Sequence, residues 1–207
     1  MTNATEHQSW IFRFHRRTAR VALTLVAMLV LGIVTTQSAK AQSYEVLYSF
    51  IGGADGAYPE AGLTLDAAGN LYGTTDGGGA ANSGTVFKLD TTGTETVLYA
   101  FTGGADGKSP LAPLVLDPSG NLYGTTYDGG KPFACFYDND SCGVVFKLDT
   151  AGTETVLYTF RGETDGRYPS TGVLRDPAGH LYGTTQDGGS EYGCARQSCG
   201  VVFKLKP

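Results

Sequence analysis

The ten residues Asp66-Ala67-Ala68-Gly69-Asn70-Leu71-Tyr72-Gly73-Thr74-Thr75 decide how this chain is read. They return, little changed, as Asp117–Thr126 and again as Asp176–Thr185. Self-similarity at a fixed step is the mark of a repeat architecture. Two further phrases keep the same beat. Val46-Leu47-Tyr48-Ser49-Phe50 returns at Val97–Phe101 and Val156–Phe160. Val86-Phe87-Lys88-Leu89 returns at Val145–Leu148 and Val202–Leu205. The step is 51 residues and then 59, and the difference falls in the loop that carries the first cysteine pair.

Each copy reads as four short strands: Ala61–Leu65, Asn70–Thr75, Thr85–Asp90 and Thr96–Phe101 in the first. Val, Leu, Tyr, Phe and Thr dominate them, residues that suit a pleated sheet. No segment sustains a helical period. The first hairpin turns on Asp66–Gly69 and the second on Asp90–Gly93, both D-x-x-G. The Asp side chain caps turn N–H groups, and Gly takes the positive φ that closes the turn. These acids recur with the repeat (Asp117, Asp149, Asp176), so a folding role is expected ahead of calcium ligation. Gly73, Gly124 and Gly183 interrupt the second strand, where glycine signals close approach by a backbone or a large side chain. The fold expected is all-β: three four-stranded antiparallel repeats, propeller-like, as a partial or oligomer-completed propeller. A β-trefoil, which also uses three repeats of four strands, is the alternative.

Asp55–Pro59, then Asp66–Thr75, Gly77-Gly78 and Gly84–Leu89, together resemble the GloVer tandem repeat of bacterial exported proteins. The resemblance covers nearly all of 43–205. The strand order is also similar to blades of pyrroloquinoline-quinone-type and NHL-type propellers. The resemblance implies an exported repeat protein with no established activity. The chain departs from the pattern in having three copies where longer arrays are usual, and in showing no surface-sorting segment before Lys206-Pro207.

The first 41 residues read differently. Arg13, Arg16, Arg17 and Arg20 precede an apolar run, Val21–Val34, in which Thr24 is the one polar side chain, and then Ala39-Lys40-Ala41. A basic start, a short apolar centre and an A-x-A site make a secretory signal peptide. The run is short for the ~20 residues that span a bilayer, so no membrane span is expected after cleavage. Residues 42–207 then form a single β-repeat domain, with an N-terminal strand at 46–50 and repeats at about 58–101, 109–160 and 168–207. The expected location is secreted, periplasmic or cell-surface.

The whole chain carries a formal charge of −5. The leader holds five basic residues and one acid, which puts the mature part near −9. An acidic surface repels phosphate backbones, which argues against a nucleic-acid partner. The four cysteines form two close pairs, Cys135 with Cys142 and Cys194 with Cys199. In an oxidising compartment these are expected as local disulfides. A zinc site fits poorly, because the spacings are not C-x2-C and His180 is the only histidine of the mature part.

Catalytic groups are scarce. His180 stands where the other copies have Asn70 and Asn121, so it reads as a turn residue rather than a base. No Ser-His-Asp set, H-E-x-x-H motif or phosphate loop is present. No cofactor and no metal are expected. Asp138-Asn139-Asp140 could hold a cation through oxygen atoms or form a solvated acidic loop. The loop between the second and third strands varies most between copies. The first copy has only small residues there. The second carries Tyr127, Phe133, Phe136 and Tyr137 around its cysteines, and the third carries Tyr192 and Arg196. Aromatics on a disulfide-held loop suit a glycan or protein ligand, or they cover the disulfide itself.

The third copy ends one strand short, and its missing V-L-Y-x-F phrase stands alone at Val46–Phe50. A homo-oligomer through N-terminal strand exchange follows as an expectation. The function expected is an exported, non-catalytic binding or scaffolding module. The alternatives are a propeller hydrolase or lyase acting on an extracellular sugar or lactone, and a truncated array without independent function.

Overall fold

The computed structural model describes residues 42–130, 141–162, 164–189 and 199–207. The leader expected at 1–41 lies outside them. All described regular structure is strand. β1 (Thr64–Leu65), β2 (Leu71–Thr75), β3 (Thr85–Leu89) and β4 (Glu95–Ala100) make the first sheet. β5 (Val115–Leu116), β6 (Leu122–Thr126), β7 (Val144–Leu148) and β8 (Glu154–Thr159) make the second. β9 (Leu174–Arg175), β10 (Leu181–Thr184) and β11 (Val202–Leu205) make the third.

Each sheet is an antiparallel meander in which neighbours in sequence are neighbours in space. Among the described residues no strand ladder runs from one repeat to another. That overturns the trefoil alternative, whose repeats would have to share one barrel. The three sheets are propeller-like blades. The two-strand hairpins register alike in every blade: Gly73 faces Phe87, Gly124 faces Phe146 and Gly183 faces Phe203. Leu98 in β4 bulges opposite the Val86–Phe87 step and Leu157 in β8 opposite Val145–Phe146, the same place in both outer pairs.

The recurring strand glycines have a visible cause. A Cβ on Gly73 would sit 2.6 Å from Phe87 Cζ and 2.8 Å from Leu63 Cδ2. At Gly124 the same two distances, to Phe146 and Leu114, are 2.7 and 2.8 Å. The aromatic ring of one strand occupies the space over its neighbour's glycine. A second ring then covers the first. Phe101, the last residue of the first repeat, meets Phe146 of the second edge-on at 5.2 Å. Phe160 meets Phe203 of the third at 5.3 Å. The V-L-Y-x-F phrase thus closes the core of the blade that follows it. Phe101 and Phe160 are each 1 % exposed.

Side-chain hydroxyls tie the inner strands together. Thr64 Oγ1 donates to the Leu114 carbonyl, Thr74 Oγ1 to Ala112 and Thr125 Oγ1 to Thr171. The first strand of each blade is only two residues long, against the five expected. Pro110 and Pro113 stand beside it in the second repeat and remove ladder donors.

The D-x-x-G turns fold as expected. Asp66 accepts from the Ala68 and Asn70 N–H groups, the Asn70 side chain and the Tyr72 hydroxyl. Asp117 does the same with Ser119, Asn121 and Tyr123. Bonds from Asn70 hold the Asp66 carboxyl below its usual range. The oxygens are spent on the turn, which is a folding role. His180 keeps the pattern: its backbone N–H and its Nδ1 both lie 2.8 Å from Asp176, so imidazole replaces the asparagine amide.

Val46–Phe50 has no ladder partner among the described residues. It is nonetheless placed. Phe50 meets Phe87 edge-on at 5.0 Å, and the Tyr48 hydroxyl donates to Asp55.

Candidate functional site

One end of the blades is built from two loops per repeat. The first follows the V-L-Y-x-F phrase and turns at Asp55-Gly56, Asp106-Gly107 and Asp165-Gly166. The second joins the middle strands. The two loops meet in a single antiparallel bridge in every repeat: Ala57 with Gly77, Lys108 with Asp128, Arg167 with Asp187. The acid of the first loop is a capping hub. Asp106 accepts from the Tyr99 hydroxyl, the Thr102 N–H and hydroxyl, and the Gly104 N–H. Asp165 accepts from the Tyr158 hydroxyl. A tyrosine inside a strand therefore fixes the loop seven residues on.

Immediately before the proline of each repeat sits a non-glycine residue with left-handed backbone: Tyr58 (φ 59°), Ser109 (φ 56°) and Tyr168 (φ 58°). Bulky side chains rarely adopt this region. Backbone bonds hold it in place. Ser109 N donates to the Ser83 carbonyl and Tyr168 N to the Cys142 carbonyl. Strain of this kind concentrates where a side chain must be aimed.

Between the second and third repeats that aim produces an aromatic pair. Tyr168 stacks on Tyr127 with ring centroids 4.8 Å apart and planes 15° from parallel. The Arg167 guanidinium lies 5.3 Å from the Tyr168 ring centroid and pairs with Asp187 at 3.5 Å. Gln186, exposed, lies beside the Tyr127 hydroxyl at 3.4 Å. Burial and the charges of Asp128 and Asp187 push the Tyr127 hydroxyl up, against the pull of Arg167. It stays protonated and can donate. The corresponding positions between the first and second repeats are Asp76 for Tyr127, Ser109 for Tyr168 and Lys108 for Arg167. The pair breaks the repeat symmetry.

Of the residues expected to form a binding face, the structure places Tyr127 here. Phe133, Phe136, Tyr137, Tyr192 and Arg196 lie outside the described residues, as does Asp138-Asn139-Asp140. The neck of the second repeat's variable loop is visible: Gly129 N donates to Ser141 Oγ at 2.6 Å, and Cys142 is fully buried beneath Tyr168 N. That loop leaves and returns beside the stacked pair. Tyr168 and Arg167 were not among the residues expected from sequence. Tyr168 gives no signal of its own in the sequence, because Tyr58 stands at the same repeat position in the first copy.

The two expected disulfides are each described at one end. Cys142 and Cys199 fall within the described residues, and Cys135 and Cys194 do not. Neither Cys142 nor Cys199 is a free thiol, and both are disulfide-bonded. The choice of partner, Cys135 for Cys142 and Cys194 for Cys199, lies outside the described residues. Cys142 and Cys199 occupy the same repeat position but differ in burial. Cys142 is 0 % exposed, whereas Cys199 is exposed. The cause is the neighbouring repeat. The carbonyl of Cys142 accepts from Tyr168 N of the third repeat, which covers the cysteine. Among the described residues no further repeat stands over Cys199 to do the same.

A different group stands apart from this face. Glu154 is half-buried, its Oε1 has no hydrogen-bond partner, and burial together with the charge of Asp106 pushes its carboxyl up to about 7. Glu95 at the equivalent place is also raised, by burial and then Asp55. Among the described residues no three His, Cys, Asp or Glu side chains gather as a metal site would need.

Separate antiparallel meanders of four, four and three strands, joined by a shared aromatic column and a face of paired loops, define a propeller-like tandem-repeat protein. The family profile described as the Gloeobacter/Verrucomicrobia repeat matches residues 30–195. The chain belongs to that family. Two solved structures are similar in part. One is an X-ray structure assigned as a gluconolactonase, at 19 % identity and TM-score 0.36, covering 70 % of this chain and 47 % of that one. The other is dipeptidyl peptidase 4 of Porphyromonas gingivalis, at 14 % identity and TM-score 0.34, covering 58 % of this chain and 16 % of that one. The chain spans less than half the length of either. No curated protein matches it.

Proposed function

We propose that this is an exported, non-catalytic binding module of the cell surface or periplasm, with the Tyr127–Tyr168 pair at the centre of its contact face. The leader-like sequence of 1–41 supports export. The observation that carries the binding role is the stacked pair itself, formed where Tyr127, which replaces the Asp76 and Gln186 of the other copies, meets a tyrosine that the repeat holds in left-handed backbone. A tyrosine face beside Arg167, Asp187 and Gln186 offers an apolar plane edged by donors and acceptors. Sugar rings present the matching surface, with C–H faces and hydroxyl rims. Local disulfides, Cys135 to Cys142 and Cys194 to Cys199, would hold the neighbouring variable loops in place and lower the entropy cost of binding.

The test restores repeat symmetry. Tyr127→Asp and Tyr168→Ser install the residues found at the equivalent positions, so both fit the local backbone. A glycan-array screen of the full chain should yield a ligand whose affinity falls at least tenfold in each variant, with unfolding unchanged. A ligand bound equally well by both variants, or none bound by the parent chain, would overturn this assignment.

A further inference from the structure

Among the described residues the third sheet has three strands where the first two have four. In the first, β4 covers β3; in the second, β8 covers β7. β11 has no outer neighbour among the described residues. The cost shows in one side chain. Val86 and Val145 are 0 % exposed, whereas their counterpart Val202 is 83 % exposed. Beside β11 lies a groove of about 340 Å³, lined by Tyr158, Phe160, Val201, Val202, Phe203 and Leu205 among others. An exposed edge with a hydrophobic flank is a template for another strand.

The sequence that fills this place in the other blades is V-L-Y-x-F, and a third copy of it exists at Val46–Phe50. Its contacts match those of the other two copies. Phe50 meets Phe87 at 5.0 Å, as Phe101 meets Phe146 at 5.2 Å. Tyr48 bonds Asp55, as Tyr99 bonds Asp106. The Leu47 carbonyl lies against Gly93, as the Leu98 carbonyl lies against Gly152. The segment already sits on the first blade as the outer strand of a preceding blade would. Yet among the described residues no inner strands pair with it.

We infer that a second copy of this chain supplies them: Val46–Phe50 of each copy adds to β11 of the other. The segment need not leave Phe87 or Asp55 to do so, because those contacts are the ones an outer strand keeps with the next blade. The register follows from the two complete blades, where Val86 faces Tyr99, Phe87 faces Val97, Val145 faces Tyr158 and Phe146 faces Val156. Val202 would therefore face Tyr48 of the other copy, and Phe203 would face its Val46, with Leu47 as the bulged residue. The contact joins unlike surfaces, so it must close or polymerise. Two copies of three blades make six, within the 4–8 that closed propellers use. The two joined ends leave no open strand edge.

Two variants test this without touching the contacts that fold one copy. Val202→Arg places a charge where Val86 and Val145 are buried, but on a side chain that is exposed in the single copy. Val46→Pro removes the N–H at a position with no ladder partner in the single copy. The full chain purified without detergent should sediment as a dimer, with its intact mass read alongside. Each variant should sediment as a monomer with an unchanged far-ultraviolet circular dichroism spectrum. A monomeric parent chain, including one closed by its own Val46–Phe50, overturns the inference. So does a dimer that survives both variants, or an open polymer in place of a dimer.

Discussion

Phe146 occupies the space that a side chain at Gly124 would need: a Cβ there would lie 2.7 Å from its Cζ. Both residues are buried, and Leu114 closes the other side at 2.8 Å. Neither neighbour can retreat without disturbing Phe101 or the adjoining strand. Gly124→Ala should therefore destabilise the protein by about 1–3 kcal/mol, the usual range for overpacking. Chemical denaturation of parent and variant checks it. An unchanged midpoint would mean that the ring can move aside.

The inter-blade rings should differ in weight. Phe101 is 1 % exposed and belongs to the central apolar cluster with Leu122, Val144 and Phe146. Phe101→Ala should cost about 3–5 kcal/mol. Phe50 makes the same edge-on contact but is only half-buried. Phe50→Ala should cost clearly less in the single copy. Equal losses would contradict the burial difference. Comparing the two at protein concentrations low enough to hold the chain monomeric isolates the effect.

His180→Asn should be nearly silent in unfolding experiments, since the equivalent turns already use Asn70 and Asn121 against the same carboxylate. His180→Ala should lose about 1 kcal/mol, the typical net worth of one side-chain hydrogen bond. A hydrolytic activity that vanished in His180→Asn would instead expose a chemical role for the imidazole.

Glu154 gives the protein an unusual pH response. Its folded-state value of about 7 lies above the ordinary 4.5. Between those values the folded chain binds a proton that the unfolded chain has released. Stability contributed by that proton is full below about pH 4.5 and is lost as pH rises through about 7. Asp66, Asp90 and Asp176 are lowered, so they act in the opposite sense, and their contribution is lost as pH falls below the ordinary carboxylate range. Thermal midpoints should peak near pH 5, roughly where the two trends cross. Glu154→Gln should flatten the decline between about pH 5 and 8 while leaving the acid limb in place. A decline of the same depth in the variant would place its origin elsewhere.

Much of this was legible because the chain repeats. D-x-x-G turns, strand positions and the intrusive glycines each announced themselves three times, and local hydrogen bonds or one neighbouring ring account for all of them. The short inner strands were not legible, since Ala61–Leu65 alternates as a strand should, yet only Thr64 and Leu65 find ladder partners. Tyr168 was missed for a different reason. Its partner Tyr127 lies in the preceding repeat, and nothing in either local sequence states that the two rings meet. The unequal burial of Cys142 and Cys199 has the same origin, because the cover comes from the next repeat and not from the loop itself. Glu154 reads as an ordinary strand residue, because neither its burial nor the nearby charge of Asp106 is written in its local sequence. Contacts within a repeat are written in its own residues; contacts between repeats are not.

The aromatic column has one further consequence. Because the closing phenylalanine of each blade belongs by sequence to the repeat before it, no repeat is a self-contained unit. Excising any one removes a lid from its successor and a seat from its own last residue, yet the phenylalanine contact left behind is the same as the one lost. Unequal recombination at these phrases would change the number of blades while leaving each aromatic contact of the column in place.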